Sequence, residues 1–187
     1  MAQKKQNRGR RAYLSDFHQS VSGEYIYTGA VYTSAVPDGK TRSGVLAELW
    51  LWGGAMLVSA GAQGCIPAGG MLNCVYVLLP FAGELLSAIS VIWALVRLSA
   101  NREPLREYVY SATAEAMPRR TVVTAVFAAA ALVGETVYAL LHPADAAGKA
   151  RWLPVLMAVT GAAALLLRRK MRTLRWEKHD ARKTEVL

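Results

Sequence analysis

The sequence predicts an all-α integral membrane protein: a four-helix transmembrane bundle, built as a tandem two-helix repeat, with short strands on the cytoplasmic side. Three observations predict it. Apolar residues make up 53% of the 187 positions, and they are clumped rather than spread. Four stretches, approximately 45–65, 71–98, 121–141 and 152–167, are long and poor in charge. A helix rising about 1.5 Å per residue needs about 20 such residues to cross a hydrocarbon core about 30 Å thick. The cations, finally, are distributed unevenly along the chain.

Of the 22 Lys and Arg, seven precede the first stretch, Arg97 ends the second, four lie between positions 100 and 120, and eight follow from Arg168 onward. The other two, Lys149 and Arg151, lie between the third and fourth stretches, and the short connection 66–70 has none. This is the positive-inside pattern for an even number of spans with both termini cytoplasmic. It accounts for the net charge of +9 without a nucleic-acid partner. The implied partner is a lipid bilayer, and the expected location is a plasma membrane, of the bacterial cytoplasmic kind.

Taken in order, residues 1–43 form a cytoplasmic segment. Its basic arm, MAQKKQNRGRR, suits anionic headgroups, and its Tyr-rich part, GEYIYTGAVYTSAVPDGK, reads as short strands broken by Gly29 and by Pro37-Asp38-Gly39. There is no early apolar core with a cleavage site, so the first span is expected to remain as an anchor. Residues 44–168 hold the four spans. Small residues cluster at Gly53-Gly54-Ala55, Ser59-Ala60-Gly61-Ala62, 128–131 and 161–164, where helix backbones can approach closely. Trp50, Trp52, Trp93, Trp152 and Tyr138 fall near span ends, as in an aromatic belt. Cys65 and Cys74 flank the outer connection and either pair as a disulfide or pack as small apolar residues. Residues 169–187 form a basic cytoplasmic tail, read as solvated and adjacent to the membrane, with an amphipathic extension of the fourth helix along the inner leaflet or a partner-binding segment as the alternatives.

The repeat rests on an echo. Glu24-Tyr25-Ile26-Tyr27-Thr28 returns as Glu107-Tyr108-Val109-Tyr110-Ser111, each run before a hairpin of spans. Pro67 likewise answers Pro143, and Leu79-Pro80 answers Leu153-Pro154. Two spans return the chain to its starting side, so a pseudo-twofold along the membrane normal is expected, with the two EYxY runs paired as strands beneath the bundle.

Three acids enter the spans. Glu48 is about one turn from the cytoplasmic end and within reach of Arg42 and water. Glu84 and Glu135 are deeper, each fourteen residues from the cytoplasmic end as counted from Leu98 and Thr121. That is about 21 Å of helix, so matched depth is expected. On the second span Asn73, Tyr76, Pro80, Glu84 and Ser87 form one polar side. On the third, Thr124, Ala131, Glu135, Tyr138 and His142 share a face. Pro80 has no N–H for the carbonyl of Tyr76, which leaves an acceptor free.

If these faces meet, Glu84, Glu135, Asn73, Tyr76, Tyr138 and His142 line an outward cleft for a proton, a cation or a cationic small molecule. The opposing reading makes each acid a polar clasp between helices. Glu135 and His142 stand two turns apart, too far to ligate one metal ion directly, and neither a metal nor a cofactor is expected. No G-x-S-x-G, H-E-x-x-H, Walker or dinucleotide pattern occurs, which points away from an enzyme, and no catalytic residue is assigned. The expected function is a small transporter or channel-like subunit, as a homo-oligomer or with a larger membrane-protein partner. The alternatives are a non-catalytic accessory or assembly subunit and a holin-like pore former.

Overall fold

The computed structural model describes residues 17–19, 23, 25–35, 41–144 and 148–180. The basic arm, Glu24, the Pro37-Asp38-Gly39 turn and the last residues of the tail lie outside them. The chain is mostly helical. Strands β1 (Phe17–Gln19), β2 (Tyr25–Tyr27) and β3 (Ala30–Ala35) precede helix α1 (Arg42–Gly64), the short α2 (Gly69–Asn73) and α3 (Val75–Ala100). Then come β4 (Leu105–Arg106), the single turn α4 (Glu107–Tyr110), a π-helical turn over Ser111–Glu115 and α5 (Met117–Leu141). A 3-10 turn (Gly148–Trp152), α6 (Leu153–Thr173) and β5 (Arg175–Asp180) complete the order.

Four helical stretches are long and apolar enough to cross a membrane: Arg42–Gly64, Val75–Ala100, Glu107–Leu141 and Gly148–Thr173. Each buries a stripe whose members are spaced alternately by three and four residues. On α1 the stripe is Leu49, Gly53, Met56, Ala60 and Gln63. On α3 it is Val77, Glu84, Ala88, Val91, Leu95 and Leu98, with Phe81 half-buried in the one gap. On α5 it is Met117, Thr121, Thr124, Ala128, Ala131, Glu135 and Tyr138, and on α6 Leu153, Met157, Thr160, Ala164, Leu167 and Met171. This is the spacing of helices that pack side by side with interlocking side chains. Helix α3 packs on α1 and α5, and α6 packs on the same two, which closes a ring of four. The opposite faces expose Leu51, Val58, Leu86, Trp93, Val126, Leu140 and Leu165, an apolar outside that suits hydrocarbon better than water.

Close approach is built from glycine. A Cβ on Gly53 would stand 3.0 Å from Leu95 Cδ2, and one on Gly83 would stand 2.7 Å from the Phe127 ring. One on Gly134 would stand 2.8 Å from the carbonyl oxygen of Tyr76, the acceptor that Pro80 leaves without its helical N–H.

The strands gather at the end of the bundle where α1 and α5 start and α3 and α6 stop. There β4, β3 and β5 form an antiparallel sheet in that order, while β1 and β2 form a separate hairpin. Arg42 ties the sheet end to α3, donating to the Asn101 carbonyl at 2.7 Å and pairing with Glu103 at 3.4 Å. Glu48 pairs not with Arg42 but with Lys170 of α6, at 2.8 Å.

Three features differ from the sequence reading. The second EYxY run is helical and does not pair with the first. The chain leaves β4 at Arg106 and turns at once toward α5, and Tyr110 meets the sheet through its ring, stacked on Tyr32 at 4.0 Å and edge-on to Trp176 at 5.4 Å. The tail does not run on as a helix, because after Thr173 it turns extended and pairs with β3 from Ala35↔Arg175 to Ala30↔Asp180. That pairing joins segments from opposite ends of the sequence, so local periodicity carries no sign of it. The second apolar stretch, finally, is broken at Cys74, an extended residue between α2 and α3.

Candidate functional site

Two buried clusters contain the acids. The inner one joins three helices. Gln63 of α1 donates through Nε2 to Glu84 Oε1 of α3 at 2.8 Å and to Thr160 Oγ1 of α6 at 3.0 Å. Ser59 Oγ lies 2.8 Å from Thr160 Oγ1. Gln63, Glu84 and Thr160 are all fully buried, and each occupies a core position of its helix stripe. The hydroxyls also reach back to their own helices, Ser59 to the Ala55 carbonyl at 2.7 Å and Thr160 to the Leu156 carbonyl at 3.0 Å. Among the described residues, Gln63 Oε1 and Glu84 Oε2 are buried with no hydrogen-bond partner. An anionic oxygen left so in low dielectric is costly, and a charge or a donor brought to it would be held strongly.

The outer cluster surrounds Glu135 on α5. The carboxyl lies under α2, where Gly70 comes so close that a Cβ would collide with Glu135 Oε2 and stand 3.1 Å from the Tyr138 ring. Glu135 Oε2 also lacks a hydrogen-bond partner among the described residues. Tyr138 is buried and stacks on the exposed His142 with centroids 4.5 Å apart. Tyr76 lies near enough to Tyr138 and Glu135 to interact electrostatically, although 47% of it is exposed.

The acids stand in different layers. Gly134 lies against Tyr76 and Val77, whereas Gly83 lies against Phe127. In level, Glu135 therefore faces the start of α3, about eight residues from Glu84, or about 12 Å at helical rise. Counting from Leu98 and Thr121 equalised the depths because it took those residues as helix ends at one level. In fact Thr121 stands level with about Ile89, since the pairings of Gly134 with Tyr76 and of Gly83 with Phe127 continue along the two antiparallel helices, and the third helical stretch reaches back to Glu107.

The structure thus brings Glu135, Tyr76 and Tyr138 together, with His142 stacked at the margin, and sets Glu84 with a different group. Asn73 is exposed at the end of α2, because the break at Cys74 takes it out of helical phase with Glu84. The sequence reading missed Gln63, Ser59 and Thr160. The available signal is the i, i+4 pair of Ser59 and Gln63 inside an apolar span, of which the sequence reading takes Ser59 as a small packing residue and leaves Gln63 unmarked. Cys65 and Cys74 are not bonded to one another, and no group of three potential metal ligands occurs among the described residues. Compared with protein-family models, curated proteins and solved structures, the chain has no match.

Proposed function

We propose that this chain is a four-span membrane protein with both ends cytoplasmic, acting as a small transporter or channel-like subunit that moves a proton or small cation by way of Glu135 and Glu84. The supporting observation is chemical. Both acids are at least 98% buried, and each has an oxygen that no described protein group satisfies. An intramembrane acid in that state is a binding group for positive charge. The acids act as successive stations rather than as a pair sharing one charge: Glu135 beneath α2 near the loop end, then Glu84 deeper in the ring.

The tandem repeat belongs to the same reading. Carrying α1 onto α5 and α3 onto α6 turns the α1–α6 contact into the α5–α3 contact, and each hairpin of long helices follows a strand of the three-stranded sheet. Such adjacency fits a pseudo-twofold along the membrane normal.

A second reading, an accessory subunit with a structural clasp, is favoured by the bonds from Gln63 to Glu84 and Thr160, which hold three helices together. Reconstitution in liposomes separates the two. Proton or cation flux should be measurable with the parent chain and fall at least tenfold in Glu84→Gln and in Glu135→Gln. A parent chain that conducts nothing alone, or variants that conduct equally, would favour the clasp.

A further inference from the structure

We infer that the inner cluster is a proton-binding site in which Glu84 carries the proton and Gln63 is the positioning residue that completes the site. The inference rests on the transport reading and narrows it to one ligand and one site. It follows from counting hydrogens. Gln63 Nε2 has two, and both are used, one on Glu84 Oε1 at 2.8 Å and one on Thr160 Oγ1 at 3.0 Å. The single hydroxyl hydrogens of Ser59 and Thr160 have backbone carbonyls of their own helices as acceptors, Ala55 at 2.7 Å and Leu156 at 3.0 Å. Each donor in the cluster thus has an acceptor, and the Thr160 hydroxyl also lies within reach of the Glu84 carboxyl. Two fully buried acceptors are left over, Glu84 Oε2 and Gln63 Oε1, on two groups already joined by one hydrogen bond.

One proton corrects both deficits. Taken up from the aqueous phase onto Glu84 Oε2, it removes the buried negative charge and turns that oxygen from acceptor to donor. The new O–H has Gln63 Oε1 as its natural acceptor, which makes carboxyl and amide a doubly bonded pair with no oxygen unpaired. Release of the proton returns the carboxylate, with Glu84 Oε2 and Gln63 Oε1 again unpartnered. The ligand needs no more room than the O–H bond itself. Gln63 is bonded to α6 through Thr160, so the state of Glu84 on α3 is also transmitted to α1 and α6.

The surroundings leave this titration to Glu84. The residues that touch its carboxyl from α1 and α6, Gln63 and Thr160, do not titrate. Of the other ionisable groups on these helices, Glu48 is paired with Lys170, Arg120 donates to the Ser90 carbonyl and Glu135 lies under Gly70 beside Tyr138 in another layer, while Arg168, whose buried Nε has no hydrogen-bond partner among the described residues, stands about two turns beyond Thr160 along α6.

The test uses the full chain in lipid nanodiscs and infrared difference spectra between acid and alkaline buffer, which report the C=O band of each carboxyl that gains a proton. The parent should show a buried-carboxyl band that disappears in Glu84→Gln and persists in Glu135→Gln. In Gln63→Leu the band should change frequency, as its hydrogen-bonded partner is gone, and its midpoint should move by about one pH unit, tenfold in proton affinity. Gln63→Leu also serves where Glu84→Gln does not fold. A band that survives Glu84→Gln, or one that neither shifts nor changes midpoint in Gln63→Leu, would overturn the proposal. Proton flux in liposomes is read separately. A titrating Glu84 without flux leaves the site standing and removes the transport reading, whereas flux with a silent Glu84 removes the site and leaves transport.

Discussion

At the scale of single residues, the bundle depends on a few glycines whose missing side chain is occupied by something that cannot yield. At Gly134 that occupant is backbone, the Tyr76 carbonyl oxygen, so Gly134→Ala must push α3 and α5 apart. We expect it to cost about 1–3 kcal/mol, seen as a lower melting temperature in detergent. Gly54 and Gly61 have nothing within 4 Å of an added Cβ, so alanine there should be neutral or stabilising by up to about 1 kcal/mol. Equal losses at all three sites would contradict the close approach. Gly70→Ala is expected to displace Glu135 or lift α2, and should raise the reactivity of Cys74 toward thiol reagents. The ion pair of Lys170 and Glu48 is of another order. Its side chains are 43% and 37% exposed, so Lys170→Ala should change stability by less than about 1 kcal/mol. Of these contacts the sequence discloses the free Tyr76 carbonyl, through Pro80, but not Gly134 as its neighbour, because that contact depends on the relative level of two helices.

At the scale of elements, the long helices were legible and the short ones were not. Apolar runs of about 20 residues declare themselves by composition, and the observed α1 and α6 differ from the expected spans chiefly at their ends. Glu84 and Glu135 were legible for the same reason, as charges where charge is rare. Gln63, Ser59 and Thr160 were not, since hydroxyl and amide side chains are ordinary in such helices until three of them are found in contact. The break at Cys74 and the strand at Arg175–Asp180 depend on tertiary pairing. A prediction belongs to this strand. Ending the chain at Thr173 should leave the four long helices in place, as helical circular dichroism would show, while Tyr110 and β3 lose their Trp176 and β5 neighbours and the Ala30–Ala35 segment becomes sensitive to protease. Unchanged protease resistance would mean that β5 adds nothing to the sheet end.

At the scale of the whole molecule, the ring holds four helices long and apolar enough to cross a membrane, and the apolar outer faces and asymmetric cations support the proposed membrane bundle. Topology is directly accessible through thiols. Cys65 is exposed at the loop end and should react with a membrane-impermeant maleimide added outside intact cells, whereas Lys178→Cys in a Cys65→Ser, Cys74→Ser background should react only after the cells are opened. Labelling in the reverse sense would invert the bundle. The central claim, that the buried acids are poised for positive charge rather than built as a clasp, is tested most directly by thermal unfolding across pH for the parent, Glu84→Gln, Glu135→Gln and the double variant. We predict that the parent's melting temperature varies with pH, that each single variant is as stable as the parent or more so, and that the double variant loses most of that dependence, because stability follows pH only where folded and unfolded states bind different numbers of protons. Single variants that unfold the bundle, together with a pH dependence that the double variant retains in full, would contradict the account and make Glu84 and Glu135 structural.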